Sequence, residues 1–175
     1  MLATKDKKLT LDDLNNYANN FLVNNYDIEL SIPIMVNKRL KRKLGTYTYQ
    51  KYTNVPVKIE LSYDLVKYGT NNIILDTLRH ELIHYALHRL DLPHFDGQSY
   101  FENELIKHNT SATRTNFIGK IEVFQCSKCK KEIHHRVVNI KNFTSRYIST
   151  CCKSSFTHVG SELHDGENKR RINYA

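Results

Sequence analysis

Apolar residues fall at helical spacing in three stretches and alternate with polar ones in three others, and this pattern predicts the elements. Leu11, Leu14, Ala18, Phe21 and Leu22 mark a helix over residues 9–25. Thr10 with Asp12 and Asp13 gives it a capped, acidic start, and Asn24-Asn25 ends it. Residues 28–36 read as a strand, with Ile28, Leu30, Ile32 and Ile34 alternating; Pro33 makes it an edge strand or a break. Residues 44–49 form a second strand, with Gly45 at a turn or bulge, and residues 55–61 a third. Together they predict a small antiparallel sheet. Residues 62–68 form a short helix or turn closed by Gly69.

The longest helical pattern spans residues 71–90. Leu75, Leu78, Leu82 and Ala86 form its apolar stripe, widened by Ile83, Leu87 and Leu90. Asp76 sits in the first turn, and Pro93 stops the helix soon after its end. A loop over 91–98 leads to a helix over 99–108, whose apolar side is Tyr100, Phe101, Leu105 and Ile106. Residues 111–116 are a polar connector. After Gly119 the composition changes: Ile121, Val123 and Phe124 lead into four cysteines. The chain thus reads as a domain over 1–116, a β-rich module over 117–159 and a polar tail over 160–175 that is expected to fray.

Composition bounds this picture without changing it. At 175 residues, 40% hydrophobic and 25% charged, the chain suits one globular domain with a small appendage. No apolar run approaches the roughly 20 residues of a membrane span, and the first residues lack the apolar core of a signal peptide. A cytoplasmic protein is the expectation, with no membrane partner. Twenty-six basic against 18 acidic residues give a net charge of +8, which suits a polyanionic partner such as nucleic acid.

The long helix carries the chemistry. His80 and His84 lie one turn apart on one face, placed to bind one metal ion together. Glu81 is about 100° round the helix, near enough to reach water on that ion. This is the H-E-x-x-H arrangement of zinc peptidases. A catalytic zinc takes three protein ligands and keeps a position open. His88, His94, Glu102 and Glu104 are the candidates for the third. His88 shares the helix face, but three ligands in line along a straight helix do not converge easily. His94 follows the turn at Pro93; Glu104 lies on the next helix. Spacing alone leaves both open.

The chain resembles the SprT-like family of zinc peptidases, which includes the Spartan DNA–protein crosslink proteases. The resemblance rests on His80-Glu81-Leu82-Ile83-His84-Tyr85 and on Pro93-His94 with an aromatic, Tyr100 or Phe101, downstream. Leu44-Gly45 with a following aromatic, and the strand end at Ile59 to Ser62, also resemble the family. It implies a minimal zincin-like α+β domain, a catalytic Zn2+ on His80, His84 and His94, Glu81 as the base, and a protein substrate that DNA can hold. Phe95 and Asp96 separate His94 from Gly97, a departure from the family's histidine-glycine turn.

Cys126 and Cys129 form a C-x-x-C knuckle, and Cys151-Cys152 follow about two dozen residues later. Four thiolates at this spacing predict a structural Zn2+ that staples a small ribbon. Ser149 stands where a second C-x-x-C would place its first cysteine, so His134, His135 or His158 are further candidate ligands. Ile133, Val137, Val138, Ile140, Phe143, Tyr147 and Ile148 read as the ribbon's short strands. This cysteine-bearing appendage after the catalytic domain resembles the zinc ribbon of bacterial SprT-like members.

Two basic groups are candidates for nucleic-acid contact. One is Lys38, Arg39, Lys41, Arg42 and Lys43; the other is Lys128, Lys130 and Lys131 beside Phe124, Phe143, Tyr147 and Phe156. The expected function is zinc-dependent hydrolysis of protein substrates, including DNA-associated ones, with single-stranded or mixed DNA as partner. The alternatives are an ImmA/IrrE-like peptidase that cleaves a repressor and a non-proteolytic zinc-ribbon adaptor.

Overall fold

The computed structural model describes residues 8–111, 118–136 and 139–172. The chain divides into two compact units, Met1–Asn116 and Phe117–Ala175.

In the first unit, α1 (Leu11–Tyr26) starts at a Thr10 cap. The Thr10 hydroxyl accepts from the Asp13 N–H and the Asp13 carboxylate accepts from the Thr10 N–H, a reciprocal capping box. Leu14, Ala18 and Leu22 bury the inner face. Three strands follow: β1 (Ile34–Asn37), β2 (Gly45–Gln50) and β3 (Val55–Ser62). Their order is β1-β3-β2, with β3 central. β2 pairs antiparallel with β3, but β1 pairs parallel to it, so the sheet is mixed rather than antiparallel. Alternation of apolar residues reports burial, and it is blind to strand direction. Strand β1 is also shorter than the alternating run, beginning only after Pro33. It is an edge strand, as the proline predicts.

Helix α2 (Tyr63–Tyr68) is short and capped by Ser62. Helix α3 (Asn71–Arg89) is capped by Thr70 and packs against α1, α4 (Ser99–Lys107), β2 and β3. It is buried on nearly every side over its second half, where His80 to Ile83 and Tyr85 to His88 are all inside. Leu78, Leu82 and Ala86 are fully buried, whereas Leu90 ends the helix in solvent. Ile83, Leu87, Phe101 and Leu105 form a core between α3 and α4, edged by Phe21, Tyr26 and Leu92. Each such side chain contributes about 1.5–3 kcal/mol by leaving water. The element that bears the chemistry is therefore firmly held.

The second unit is a four-stranded antiparallel sheet in the order β5-β4-β6-β7. The strands are β4 (Gly119–Cys126), β5 (Glu132–His135), β6 (Phe156–His164) and β7 (Lys169–Ile172). Two expectations fail here. Ile140, Phe143 and Tyr147 belong to or flank a helix, α5 (Ile140–Arg146), not short strands. Their spacing of three and four is helical, and the Asn139 side chain caps the start by accepting from the Asn142 N–H. The segment after Gly160 does not fray as a tail: it completes β6 and forms β7. Its residues are mostly polar, and strand pairing uses backbone groups that a polar sequence also offers. Val137 and Val138 lie outside the described residues.

Candidate active site

His80, Glu81 and His84 come to one cleft of about 450 Å³ in the first unit. Three elements build it. Helix α3 supplies these side chains, β2 supplies Gly45 and Tyr47, and the loop before α4 supplies His94 and Asp96. The imidazoles of His80 and His84 converge, with their Nε2 atoms 3.1 Å apart. The Phe101 ring stacks on His84 at 4.1 Å between centroids and meets His80 edge-on at 5.3 Å. Of the two aromatics expected downstream, Phe101 is thus the one beneath the site; Tyr100 faces solvent.

The loop is pinned in place. The Phe95 N–H donates to Gln98 Oε1 and the Gly97 N–H to Glu102 Oε1. Gly97 has φ +81°, a conformation that glycine adopts without strain. Glu102 is therefore occupied in fixing the loop. Glu104 is elsewhere: its carboxylate accepts from Tyr26 Oη at 2.8 Å and pairs with Lys107 at 3.0 Å. It lines a separate hollow with Val23 and Leu87. His88 is buried against β2, where its Nδ1 bonds the Tyr47 hydroxyl. Among the described residues, the metal-ligating side chain that gathers with both imidazoles is Asp96; the ring nitrogens of His94 do not join that group. Its Oδ1 lies 3.2 Å from His80 Nε2 and 3.5 Å from His84 Nε2, and the three ligand atoms lie within 4.8 Å of one another. In the sequence Asp96 stands out only as a departure from the histidine-glycine turn. A carboxylate two residues past His94, in a loop closed by Pro93 and Gly97, was the available signal.

His94 lines the same cleft, with its ring stacked on His88 at 4.6 Å. Its Nδ1 lies 3.1 Å from the Leu92 carbonyl oxygen. A carbonyl only accepts, so Nδ1 carries a proton, and it is Nε2 that the ring can offer to a metal. That Nε2 is buried without a hydrogen-bond partner. His84 is set the same way: its Nδ1 donates to the His94 carbonyl at 2.5 Å, leaving Nε2 facing His80. Burial pushes the His84 imidazole down to about 4, which keeps it neutral. Metal-binding histidines are commonly oriented by such a second-nitrogen bond. The donor set fits a first-row divalent ion such as zinc.

Glu81 is held from β2. The Tyr47 N–H donates to its Oε2 at 2.7 Å. Burial pushes its carboxyl up to about 8, against the pull of that hydrogen bond. Gly45 is required by close approach, not by the turn or bulge expected of it. A Cβ there would lie 2.8 Å from Glu81 Oε1 and 2.9 Å from both Glu81 Cγ and Thr77 Cγ2. The bulge in β2 falls later, between Thr48 and Tyr49. Gly45→Ala is expected to shift the carboxylate and leave the histidines in place. A misplacement near 1 Å costs about 100-fold in rate. Zinc content and cleavage rate of the variant, measured together, check this.

The basic run divides. Arg42 and Lys43 line the cleft. Lys41 pairs with Asp64 at 3.5 Å, Lys38 lies over the Tyr63 ring, and the Arg39 N–H donates to Asn37 in a turn.

In the second unit Cys126, Cys129, Cys151 and Cys152 gather with their sulfurs within 4.8 Å of one another, all as free thiols. The Ser149 hydroxyl, 3.2 Å from Cys126 Sγ, and nearby backbone N–H groups draw the Cys126 thiol down to about 6. Ser149 also accepts from the Ser154 N–H, so it shapes the second knuckle in place of a cysteine. The candidate histidines go elsewhere. His158 bonds Glu122 at 2.8 Å, His134 lies against Glu162, and His135 donates to the Arg136 carbonyl. Phe124 and Phe143 meet as a tilted pair at 4.4 Å inside the unit, so they are core. Tyr147, Lys128, Lys130 and Lys131 are exposed.

A mixed α+β unit with a buried helix presenting two convergent imidazoles defines a metal-competent domain. A family model described as the SprT-like family matches residues 11–118, and the chain belongs to that family. A search of curated proteins returned no match. Membership points to a zinc-metallopeptidase-like function. No helix among the described residues is long and apolar enough to cross a membrane.

Proposed function

We propose that the protein is a zinc-dependent peptidase that hydrolyses protein substrates, with DNA as the partner that brings them. The observation that carries this is the convergence of His80 and His84 beside Glu81, with the His84 imidazole kept neutral by burial and held through its Nδ1, and with a buried, unpartnered His94 Nε2 in the same cleft. The ligands are His80, His84 and His94 of the zincin-like helix and its loop, with Asp96 beside them. Zinc held there would supply Lewis acidity to water and to a substrate carbonyl, and its charge would favour the ionised form of Glu81. Glu81 takes the proton from the attacking water through the oxygen that Tyr47 leaves free, then passes it to the departing amine. Burial suits it to this exchange, because a carboxyl poised near neutrality both accepts and releases a proton.

The cysteine group holds a structural zinc, making the second unit a zinc-ribbon-like module. Exposed Lys128, Lys130 and Lys131, and Arg42 and Lys43 at the cleft, suit contact with DNA phosphates. Glu104 is engaged by Tyr26 and Lys107, which disfavours it as the carboxylate ligand of a repressor-cleaving site. The test is proteolysis of a DNA-binding protein with and without single-stranded DNA, across a salt series. The expected result is zinc-dependent cleavage that DNA accelerates and salt suppresses. DNA binding without any cleavage would return the adaptor reading.

A further inference from the structure

We propose that the second unit carries another transition-metal site, distinct from the cysteine group, formed by His134, Glu162 and His164. The register of the sheet brings them to one face. His134 of β5 lies opposite Val123 of β4, and Val123 lies opposite Gly160 of β6. Glu162 and His164 follow on β6 two residues apart, so all point the same way. Their ligand atoms lie within 4.8 Å of one another. Both imidazoles address the same carboxylate oxygen: Glu162 Oε2 is 3.3 Å from His134 Nδ1 and 3.1 Å from His164 Nε2. The rings stand 6.2 Å apart at 70°, converging instead of stacking.

Two features favour an ion over a plain hydrogen-bonded pair. The first is clearance. The residue opposite His164 is Gly119, and at Gly160 an added Cβ would meet nothing within 4 Å. No side chain from these two positions fills the space beside the trio. The second is burial. His164 is 6% exposed, and the Glu162 side chain 14%, in a place where a carboxylate gains from a fixed cation. Two imidazoles and one carboxylate are the donor set of borderline ions, and zinc is the common one. Three protein ligands leave a coordination position for water. The site shares no residue with the cysteines. Cys126 pairs with Phe156 at the other end of β6, about 20 Å along the strand from Glu162. An ion here ties edge strand β5 to β6 across β4, so it acts as a second staple on a small unit.

The test counts zinc on the full chain by native mass spectrometry at micromolar free zinc. Wild type is set beside Glu162→Gln, His164→Ala and His134→Ala. Each variant is expected to bind one zinc fewer than wild type. The thiolate-to-cobalt absorption of the cobalt-loaded cysteine group is expected to stay unchanged, showing that the unit remains folded. Zinc is also expected to raise the Tm of wild type more than that of the variants. His134, on the edge strand and the most exposed of the three, keeps the test sound should His164→Ala fail to fold. Equal zinc counts in wild type and in folded Glu162→Gln and His134→Ala would overturn the proposal. So would a third-site occupancy that appears only at millimolar zinc.

Discussion

Glu81→Gln is expected to lower peptide cleavage by about 10²–10⁴-fold, the usual worth of a positioned general base. Glutamine has the same shape and keeps an oxygen that can accept the Tyr47 N–H, so the helix and the histidines stay as they are. It cannot take a proton at neutral pH. Zinc content should match wild type, because Glu81 is not among the convergent ligand atoms. The loss should fall on kcat more than on KM, since the proton moves only as the reaction proceeds. Metal analysis and steady-state kinetics on one preparation check both halves. A zinc-replete variant with wild-type kcat would remove Glu81 from the chemistry.

His94→Ala is expected to weaken zinc binding at the helix by more than about 100-fold. Loss of a residue that only orients a ligand costs about 10–100-fold, and an inner ligand is worth more. The substitution removes the ring with the orphaned Nε2 but keeps the backbone carbonyl to which His84 donates. Glu104→Ala, in contrast, should retain zinc, because that carboxylate serves Tyr26 and Lys107. Asp96→Ala decides between the two loop residues. If it loses zinc while His94→Ala keeps it, the third ligand is Asp96, the group that already sits 3.2 Å from His80. Competition with a chromophoric chelator gives the affinities directly.

Much of the first unit was legible in the sequence because its signals are local. Thr10, Asp13 and the leucines that follow fix α1 through capping and period. The four-residue step from His80 to His84 fixes which face of α3 they share. Information that depends on distant pairing was not legible. Nothing in Ile34 to Asn37 says that β1 runs parallel to β3. Gly45 reads as a turn residue until the Glu81 carboxylate is found against it from 36 residues away in the chain. The same holds for Glu104, whose spacing suits a ligand but whose helix turns it toward Tyr26. Asp96 reached the histidines through a loop pinned by Gln98 and Glu102, and loop conformation has no period to read. In the second unit the C-x-x-C knuckle was plain, whereas strands β6 and β7 were hidden by their polar composition.

In the proposed reaction, zinc at His80, His84 and His94 activates water beside Glu81. The most direct measurement strips the full chain of metal with a chelator and follows cleavage of an unfolded protein substrate, by mass spectrometry of the new termini, as zinc is returned. The expected result is no new termini from the stripped protein, cleavage that rises with added zinc to a plateau, and none at any zinc level from His80→Ala. Cleavage by the stripped protein at the wild-type rate, or by zinc-loaded His80→Ala, would contradict it.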